Sequence, residues 1–297
     1  MLGVGSATGK FGELLQGKLP GENTHFLITL PITNISIAKF QYGDINTGSK
    51  ITPHDKVKSA LLAQKIMSYF KLSSDWNLSI YSQIPVGKGL GSSTADLVAC
   101  SRAITHATRK HLPTQILLNL LKEIEPSDGI MYDGIVCFYH RLVALHSKLG
   151  YLPNIMIVGV DEGGILDTVK FNQELNAYTS KEQSAYAILL NEMVNGINSR
   201  NLKKVGDVST KSAILHQQRN PKKNLESFIQ ICEAVGALGI IVAHSGSYIG
   251  IMMDQTHPEY IDQLASAEKK LKEKSLFAER FYPFSEKNIY QTDIADV

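Results

Sequence analysis

The chain has 297 residues, which at about 150 residues per domain predicts two domains. Hydrophobic residues make up 43% and charged residues 20%, and this ordinary globular composition excludes collagen-like, repetitive and disordered chains. The chain has 30 Lys and Arg residues and 28 Asp and Glu residues, and the resulting net charge of +2 gives no reason to expect nucleic acid or a membrane surface as a partner.

The cysteines and the N-terminal segment indicate the compartment. Cys100, Cys137 and Cys232 are odd in number and form no CxxC pair, so we interpret them as buried apolar side chains in a reducing environment. The N-terminus lacks a signal-peptide pattern, and no segment is long and apolar enough to span a membrane. We therefore expect a cytoplasmic protein without secretion or membrane anchoring.

Hydrophobic periodicity in the first half predicts mixed α and β structure, with strands interrupted at Pro31 at the beginning. A glycine-rich loop then leads from a strand into a helix, and a later short helix ends in the turn-like segment EPSDG. The predicted elements are strands within 26–40, a helix at 56–70, a strand at 76–80, the loop at 83–92 with the helix that follows it, and a helix at 114–123.

The pattern restarts near residue 150 with an apolar strand, and helices dominate the second half. We therefore expect an N-terminal nucleotide-binding domain at 1–150 and a C-terminal domain at 151–297. The predicted elements of the second half are a strand at 155–160, helices containing 186–197 and 225–235, with Gly236 ending the second, strands at 237–243 and 248–253, and a helix at 258–274.

The segment PVGKGLGSSTA at 85–95 is the strongest candidate site. Glycines let a backbone curl around phosphate oxygens, helix N-terminal amides point at the anion, and Lys88 and the hydroxyl groups add donors. The alternative is a tight strand-to-helix turn in which Ser92 or Ser93 only caps the helix. The spacing in Gly3–Lys10 and in this loop fits neither a Walker motif nor GxGxxG, which argues against a Walker-type ATPase and a dinucleotide-binding domain.

PVGKGLGSSTAD resembles the second signature of the superfamily named for galactokinase, homoserine kinase, mevalonate kinase and phosphomevalonate kinase (GHMP). GKFGELLQG at 9–17 and ALGIIVAHSGSYIGIMM at 237–253 resemble its other two signatures. With EPSDG and VDEGGILDTVKFN at 160–172, the chain is most similar to the L-threonine kinases of cobalamin synthesis and propanediol utilisation. The resemblance implies an α+β fold with a βαβ-containing N-terminal domain, a ferredoxin-like C-terminal domain, and ATP bound between them.

The resemblance also implies roles for individual residues, with ATP and Mg²⁺ as cofactors and a hydroxy amino acid as acceptor. Asp128 would take the proton of the acceptor hydroxyl, Lys88 of the loop is the second residue expected to be catalytic, and Ser93 and Glu125 would hold the metal. Glu13, Gln16, Ser245 and Gly246 would contact the acceptor. The residues expected to bind the nucleotide are Pro85, Val86, Gly87, Lys88, Gly89, Leu90, Gly91, Ser92, Ser93 and Thr94.

One departure from the family pattern leaves the metal site open. Related kinases carry a magnesium-binding glutamate shortly before the aspartate, where this chain has Ile116 and Leu117. Glu125 or Glu13 is the candidate replacement, and the alternative is that Ser93, phosphate and water hold the magnesium. Simpler interpretations are a turn-forming role for Asp128, an exposed helix-end position for Glu125 and a surface strand position for Glu13. Homoserine, serine or another amino alcohol stays open as the acceptor, as does a nucleotide-binding regulatory module without turnover.

Overall fold

The computed structural model describes residues 1–22, 24–43, 48–72, 75–164 and 178–285. Residues 165–172 of the VDEGGILDTVKFN motif lie outside them. The strands are β1 (Leu2–Lys18), β2 (His25–Tyr42), β3 (Lys50–Thr52), β4 (Trp76–Ser82), β5 (Ile135–Tyr139), β6 (Ala144–Gly150), β7 (Ile155–Asp161), β8 (Gly239–Val242), β9 (Tyr248–Asp254) and β10 (Ala278–Phe281). The helices are α1 (Val57–Tyr69), α2 (Ser92–Thr108), α3 (Thr114–Lys122), α4 (Ser180–Asn198), α5 (Leu202–His216), α6 (Leu225–Val235) and α7 (Tyr260–Glu273).

The strands form one sheet in the order β10-β7-β9-β8-β1-β2-β4-β3, and the β5-β6 hairpin pairs with β2. β3 runs parallel to β4, and the other described pairings are antiparallel. β1 and β8 share a single register pair, Glu13 with Val242. This pair joins the strands of the N-terminal half to those of the C-terminal half. The predicted division of the chain at residue 150 remains a prediction.

The structure confirms the predicted α+β class and most of the predicted elements. The left-handed Gly236, with φ 67°, ends α6 as expected. Sequence analysis did not predict the long strand β1, the β5-β6 hairpin or α5. The expected break at Pro31 is wrong, because β2 continues through it. Pro31 lies opposite Lys10, where the register of the two strands shifts, so the missing proline N–H falls at an irregular point of the ladder.

β1 is irregular over the segment that carries polar side chains. Its register against β2 shifts between Lys10 and Glu13 and again between Glu13 and Leu15. In a regular strand, residues three positions apart point to opposite faces, and each bulge reverses that alternation. Gly12 adopts φ 50° within this segment, and a Cβ there would lie 2.3 Å from the Val242 carbonyl oxygen. Only glycine allows β8 to approach β1 this closely.

α2 packs directly on β1 and thereby places its own N-terminus at the sheet. Ala95, Ala99 and Ala103 of the helix are fully buried. Cys100, Cys137 and Cys232 are also buried with free thiols, as expected. Among the residues described, no helix has the length and apolar character needed to cross a membrane.

The contact between β1 and α2 generates the first prediction. A Cβ at Gly5 would lie 2.3 Å from the Ala103 nitrogen and 2.5 Å from the Ala99 carbonyl oxygen, so Gly5→Ala forces two backbones apart. We expect the free energy of unfolding to fall by about 1–3 kcal/mol in urea denaturation. Ser6→Ala, on the opposite face of the strand, is the control and should change it by less than about 0.5 kcal/mol. Equal stabilities for the two variants would contradict this close packing.

Candidate active site

A cleft of about 620 Å³ opens beside the N-terminus of α2. Its walls come from β1, the segment before α1, the glycine-rich loop, the segment after α3 and the loop after β8. The residues lining it are Lys10, Glu13, Gln16, Leu27, Asp55, Lys56, Val57, Lys58, Ser59, Val86, Gly87, Gly89, Gly91, Ser92, Ser93, Thr94, Asp96, Glu125, Pro126, Ser127, Asp128, His140, Arg141 and Ser245. Twelve of the sequence-predicted site residues therefore meet in one place, although they are dispersed along the chain.

The glycine-rich loop ends in a helix N-terminus that no side chain caps. The N-cap residue is Gly91 in the left-handed region, with φ 75°, and its carbonyl accepts the first helical hydrogen bond from the Ala95 amide at 2.9 Å. The amides of residues 92–94 have no partner within the helix, and the helix dipole makes this end favourable for an anion. Ser92 and Ser93 therefore do not serve as the helix cap, so the capping role given to them in the simpler interpretation is wrong.

The loop after β8 packs closely against the glycine-rich loop. A Cβ at Gly89 would lie 2.5 Å from the Ala243 Cβ, and one at Gly246 would lie 2.1 Å from the Lys88 carbonyl oxygen. The Ser247 amide donates to that carbonyl at 3.2 Å. Ser245 lines the cleft, whereas Gly246 packs against the loop itself. Pro85 and Leu90 are not among the residues that line the cleft.

Asp128 lies beside a buried lysine that sequence analysis missed. Lys10 Nζ is 2.8 Å from Asp128 Oδ1, and the Thr94 hydroxyl donates to Asp128 Oδ2 at 3.3 Å. The Lys10 side chain is only 2% exposed. Burial opposes its charge, but Asp128 and Glu13 outweigh that effect and raise the pKa of Lys10 above its ordinary value. Asp128 is thus held in a charged, hydrogen-bonded setting at the mouth of the phosphate loop and is more than a turn residue.

Glu13 is buried beneath the cleft, with 1% of its side chain exposed, so the surface-strand interpretation is wrong. One carboxylate oxygen contacts Lys10, and the other accepts from the His244 amide at 2.8 Å and lies 3.0 Å from His244 Nδ1. Burial raises the pKa of Glu13, but the Lys10 charge and the His244 donors lower it further, well below its usual range. Gln16, three residues along β1, places its side chain at the cleft wall.

The structure places Lys88 away from Asp128. Its ammonium lies 2.7 Å from Asp161 Oδ2 and donates to the Gly164 carbonyl at 2.9 Å. Its predicted catalytic role is therefore not supported by proximity to Asp128 and remains a prediction. The cation beside Asp128 is Lys10. The available signal was a lysine inside the GKFGELLQG signature, between residues of an apolar strand.

The two residues predicted to hold the metal lie side by side. The Ser93 hydroxyl donates to one oxygen of Glu125, and Lys58 contacts the other. The Glu125 side chain is 8% exposed, so it is not the exposed helix-end group of the simpler interpretation. Hydroxyl and carboxylate oxygens are the ligands that Mg²⁺ prefers, and the described residues hold no cluster of three or more His, Cys, Asp or Glu suited to a metal. A bound Mg²⁺ would therefore take further ligands from phosphate and water.

Three comparisons with known proteins agree with this geometry. Residues 56–140 match the family model described as GHMP kinases N terminal domain. The chain is 25% identical over 276 residues to an L-threonine kinase of Citrobacter freundii, covering 90% of this chain and 93% of that protein. It is 26% identical over 274 residues to an L-threonine kinase of Salmonella typhimurium, covering 89% and 86%. The structure of homoserine kinase from Cytophaga hutchinsonii superimposes with a TM-score of 0.74 at 14% identity over 96% of this chain and 95% of that one.

The chain thus carries a GHMP kinase N-terminal domain within a GHMP kinase fold, as the sequence signatures implied. The chain is therefore similar to GHMP kinases in the matched domain, in its curated relatives and in its fold. The glycine-rich loop, Lys10 and Asp128 lie together in this cleft.

The position of Asp128 predicts a loss of turnover in Asp128→Asn. The substitution keeps size and hydrogen bonding but removes the charge that is predicted to receive the hydroxyl proton, so kcat should fall by about 10²- to 10⁴-fold with ATP binding little changed. Asp133→Asn, an exposed position in the same segment, is the control and should keep wild-type kcat. Retention of more than about a third of kcat in folded Asp128→Asn would rule out this role, because general-base losses are far larger.

The contact between Ser93 and Glu125 predicts a metal phenotype. Glu125→Gln should raise the Mg²⁺ concentration for half-maximal activity by about 10- to 100-fold, because the charged oxygen ligand is lost. Glu123→Gln is the matched control, since Glu123 is 58% exposed and pairs with Lys65 on the surface. If the two variants had the same Mg²⁺ dependence, Glu125 would not be a metal ligand.

Proposed function

We propose that the protein transfers the γ-phosphoryl group of ATP to the side-chain hydroxyl of L-threonine, giving O-phospho-L-threonine and ADP. The observation that carries this proposal is the Lys10–Asp128 ion pair, with N···O 2.8 Å, in the same cleft as the uncapped N-terminus of α2. One element suits a polyphosphate and the other suits a hydroxyl group. Their adjacency is what phosphoryl transfer from a nucleotide to an alcohol needs.

The proposed chemistry assigns a separate task to each element. The amides of residues 92–94 and the helix dipole hold the polyphosphate, and the glycines of the loop allow the backbone to approach it. Asp128 accepts the hydroxyl proton as the hydroxyl oxygen bonds to the γ-phosphorus and the bond to the bridging oxygen of ADP breaks. Lys10 keeps Asp128 oriented and offsets negative charge at the transfer point. When bound, Mg²⁺ supplies charge neutralisation at the phosphates, and Ser93 and Glu125 would hold it.

The acceptor is proposed from the cleft and the relatives together. The cleft is lined by residues of both charge signs, including Arg141 and Asp55, which suits a zwitterionic amino acid. Two curated relatives at 25% and 26% identity over most of the chain bear the name L-threonine kinase. We further propose that Glu13, Gln16, Ser245 and Gly246 shape the acceptor end, and that the product serves assembly of the cobalamin nucleotide loop.

The decisive experiment is ATP turnover by the purified protein against a panel of hydroxyl acceptors. The panel holds L-threonine, D-threonine, L-serine, L-homoserine, 1-amino-2-propanol and mevalonate, with the product identified by mass spectrometry. We expect the highest kcat/KM for L-threonine. Discrimination against serine should be about 10- to 200-fold, because one methyl group in an apolar pocket contributes that much.

Each other outcome points to a specific alternative. A higher kcat/KM for homoserine, serine or the amino alcohol would replace threonine as the acceptor. ATP binding without acceptor-dependent ADP release would favour a regulatory nucleotide-binding module. The proposal for L-threonine fails in either case.

A further inference from the structure

A chain of buried hydrogen bonds runs from Asp128 into the C-terminal half of the molecule. Asp128 contacts Lys10, Lys10 contacts Glu13, and Glu13 is held by His244. His244 Nε2 in turn lies 3.1 Å from the Ser212 hydroxyl of α5. Lys10, Glu13, His244 and Ser212 are each at most 2% exposed. This series of contacts therefore connects Asp128, the proposed base, to α5 through buried side chains.

The partners of His244 indicate which ring nitrogen carries a proton. Nδ1 faces the Glu13 carboxylate, which only accepts, so Nδ1 donates. Ser212 Oγ accepts from the Gln16 amide at 3.4 Å and can donate its own proton to His244 Nε2. The order Ser212, His244, Glu13 matches that of a hydrolase triad, but Ser212 is fully buried and no substrate reaches it. Ser212 therefore holds the His244 ring in place and does not act as a nucleophile.

The backbone around His244 is held as firmly as its side chain. His216 Nε2 lies 3.0 Å from the His244 carbonyl oxygen, and Asn220 Nδ2 donates to the same oxygen at 2.9 Å. Lys222 donates to the Gly246 carbonyl, two residues further on. Because this loop also packs on the glycine-rich loop, it fixes His244 relative to the phosphate site.

We propose that His244 is a positioning residue for phosphoryl transfer: by anchoring Glu13, it holds the Lys10 ammonium against Asp128. The role rests on the proposed function, since Asp128 is the proposed base. Glu13 receives two donors from His244, its amide and Nδ1, on a single carboxylate oxygen. This leaves the other oxygen to face Lys10. Without His244, the Glu13 carboxylate loses a donor in a site that excludes water, and its orientation toward Lys10 is no longer unique.

Two substitutions of His244 with similar shapes distinguish loss of the hydrogen-bond donor from loss of the imidazole ring. His244→Asn places an amide N–H close to the position of Nδ1, whereas His244→Leu has the same branching and no donor. We expect kcat to fall by up to about 10²-fold in His244→Leu, as for other small misplacements of reacting groups, with KM for ATP within about threefold of wild type. His244→Asn should recover most of kcat. Equal kcat values in two folded variants would overturn the proposal, because a merely structural loss affects both.

A double-mutant cycle with Glu13 tests the route of the effect. If His244 acts through Glu13, adding His244→Leu to Glu13→Gln should lower kcat by less than about threefold beyond Glu13→Gln alone. Additive losses would show that His244 acts by another route and would overturn the proposal. Thermal unfolding of each variant identifies any that fail to fold, and the cycle is then repeated with His244→Ala, which also lacks the N–H donor.

A measurement without turnover keeps this inference separate from the proposed function. In protein labelled with ¹⁵N at histidine, the His244 ring should show a proton on Nδ1, and its resonance should shift in Glu13→Gln. A ring with Nδ1 unprotonated would overturn the proposal even if L-threonine is the substrate. If no acceptor is phosphorylated, the proposed function fails, whereas a protonated Nδ1 that senses Glu13 still supports the anchoring contact.

Discussion

The Glu13 carboxylate is the group on which the site depends. It lies at the one register pair that joins β1 to β8, so it stands where the two halves of the sheet meet. An unpaired carboxylate buried there would cost several kcal/mol. Lys10 from the same strand and His244 from the loop after β8 compensate it together. Association of the two halves and assembly of the site are therefore the same structural event.

Charge balance explains how this buried group stays ionised. The pKa of Glu13 is lowered, so its contribution to stability is complete above the ordinary carboxyl pKa of about 4.5 and is lost as pH falls toward the folded value. The pKa of Lys10 is raised, so its contribution is present below its ordinary value of 10.5 and is lost only at higher pH. Between these limits Lys10 and Glu13 keep their charges, and this range includes neutral pH.

Local pattern predicted much of the fold, because helices and turns depend on neighbouring residues. The stripes that bury one face of α4 and α6 and the glycine after α6 follow directly from spacing. β1 was not predicted, since its bulges and its glycines interrupt the alternation that marks a strand. Its glycines are required by contacts with α2 and β8, which are distant in sequence. The predicted strand break at Pro31 was wrong for the same reason. The irregular register that accommodates this proline depends on the pairing of β1 with β2.

The sequence by itself determined the glycine-rich loop before α2, because a glycine-rich turn and the helix N-terminus it leads into are one continuous segment. It also determined that Asp128 and Glu125 follow a short helix nearby. Only the tertiary structure decided which cation meets Asp128. Lys88 pairs with Asp161, whereas Asp128 pairs with Lys10 from β1, which is distant in sequence. The physical reason is that a buried charge pairs with a group that the folded backbone places within hydrogen-bond distance. Separation along the sequence does not predict that distance.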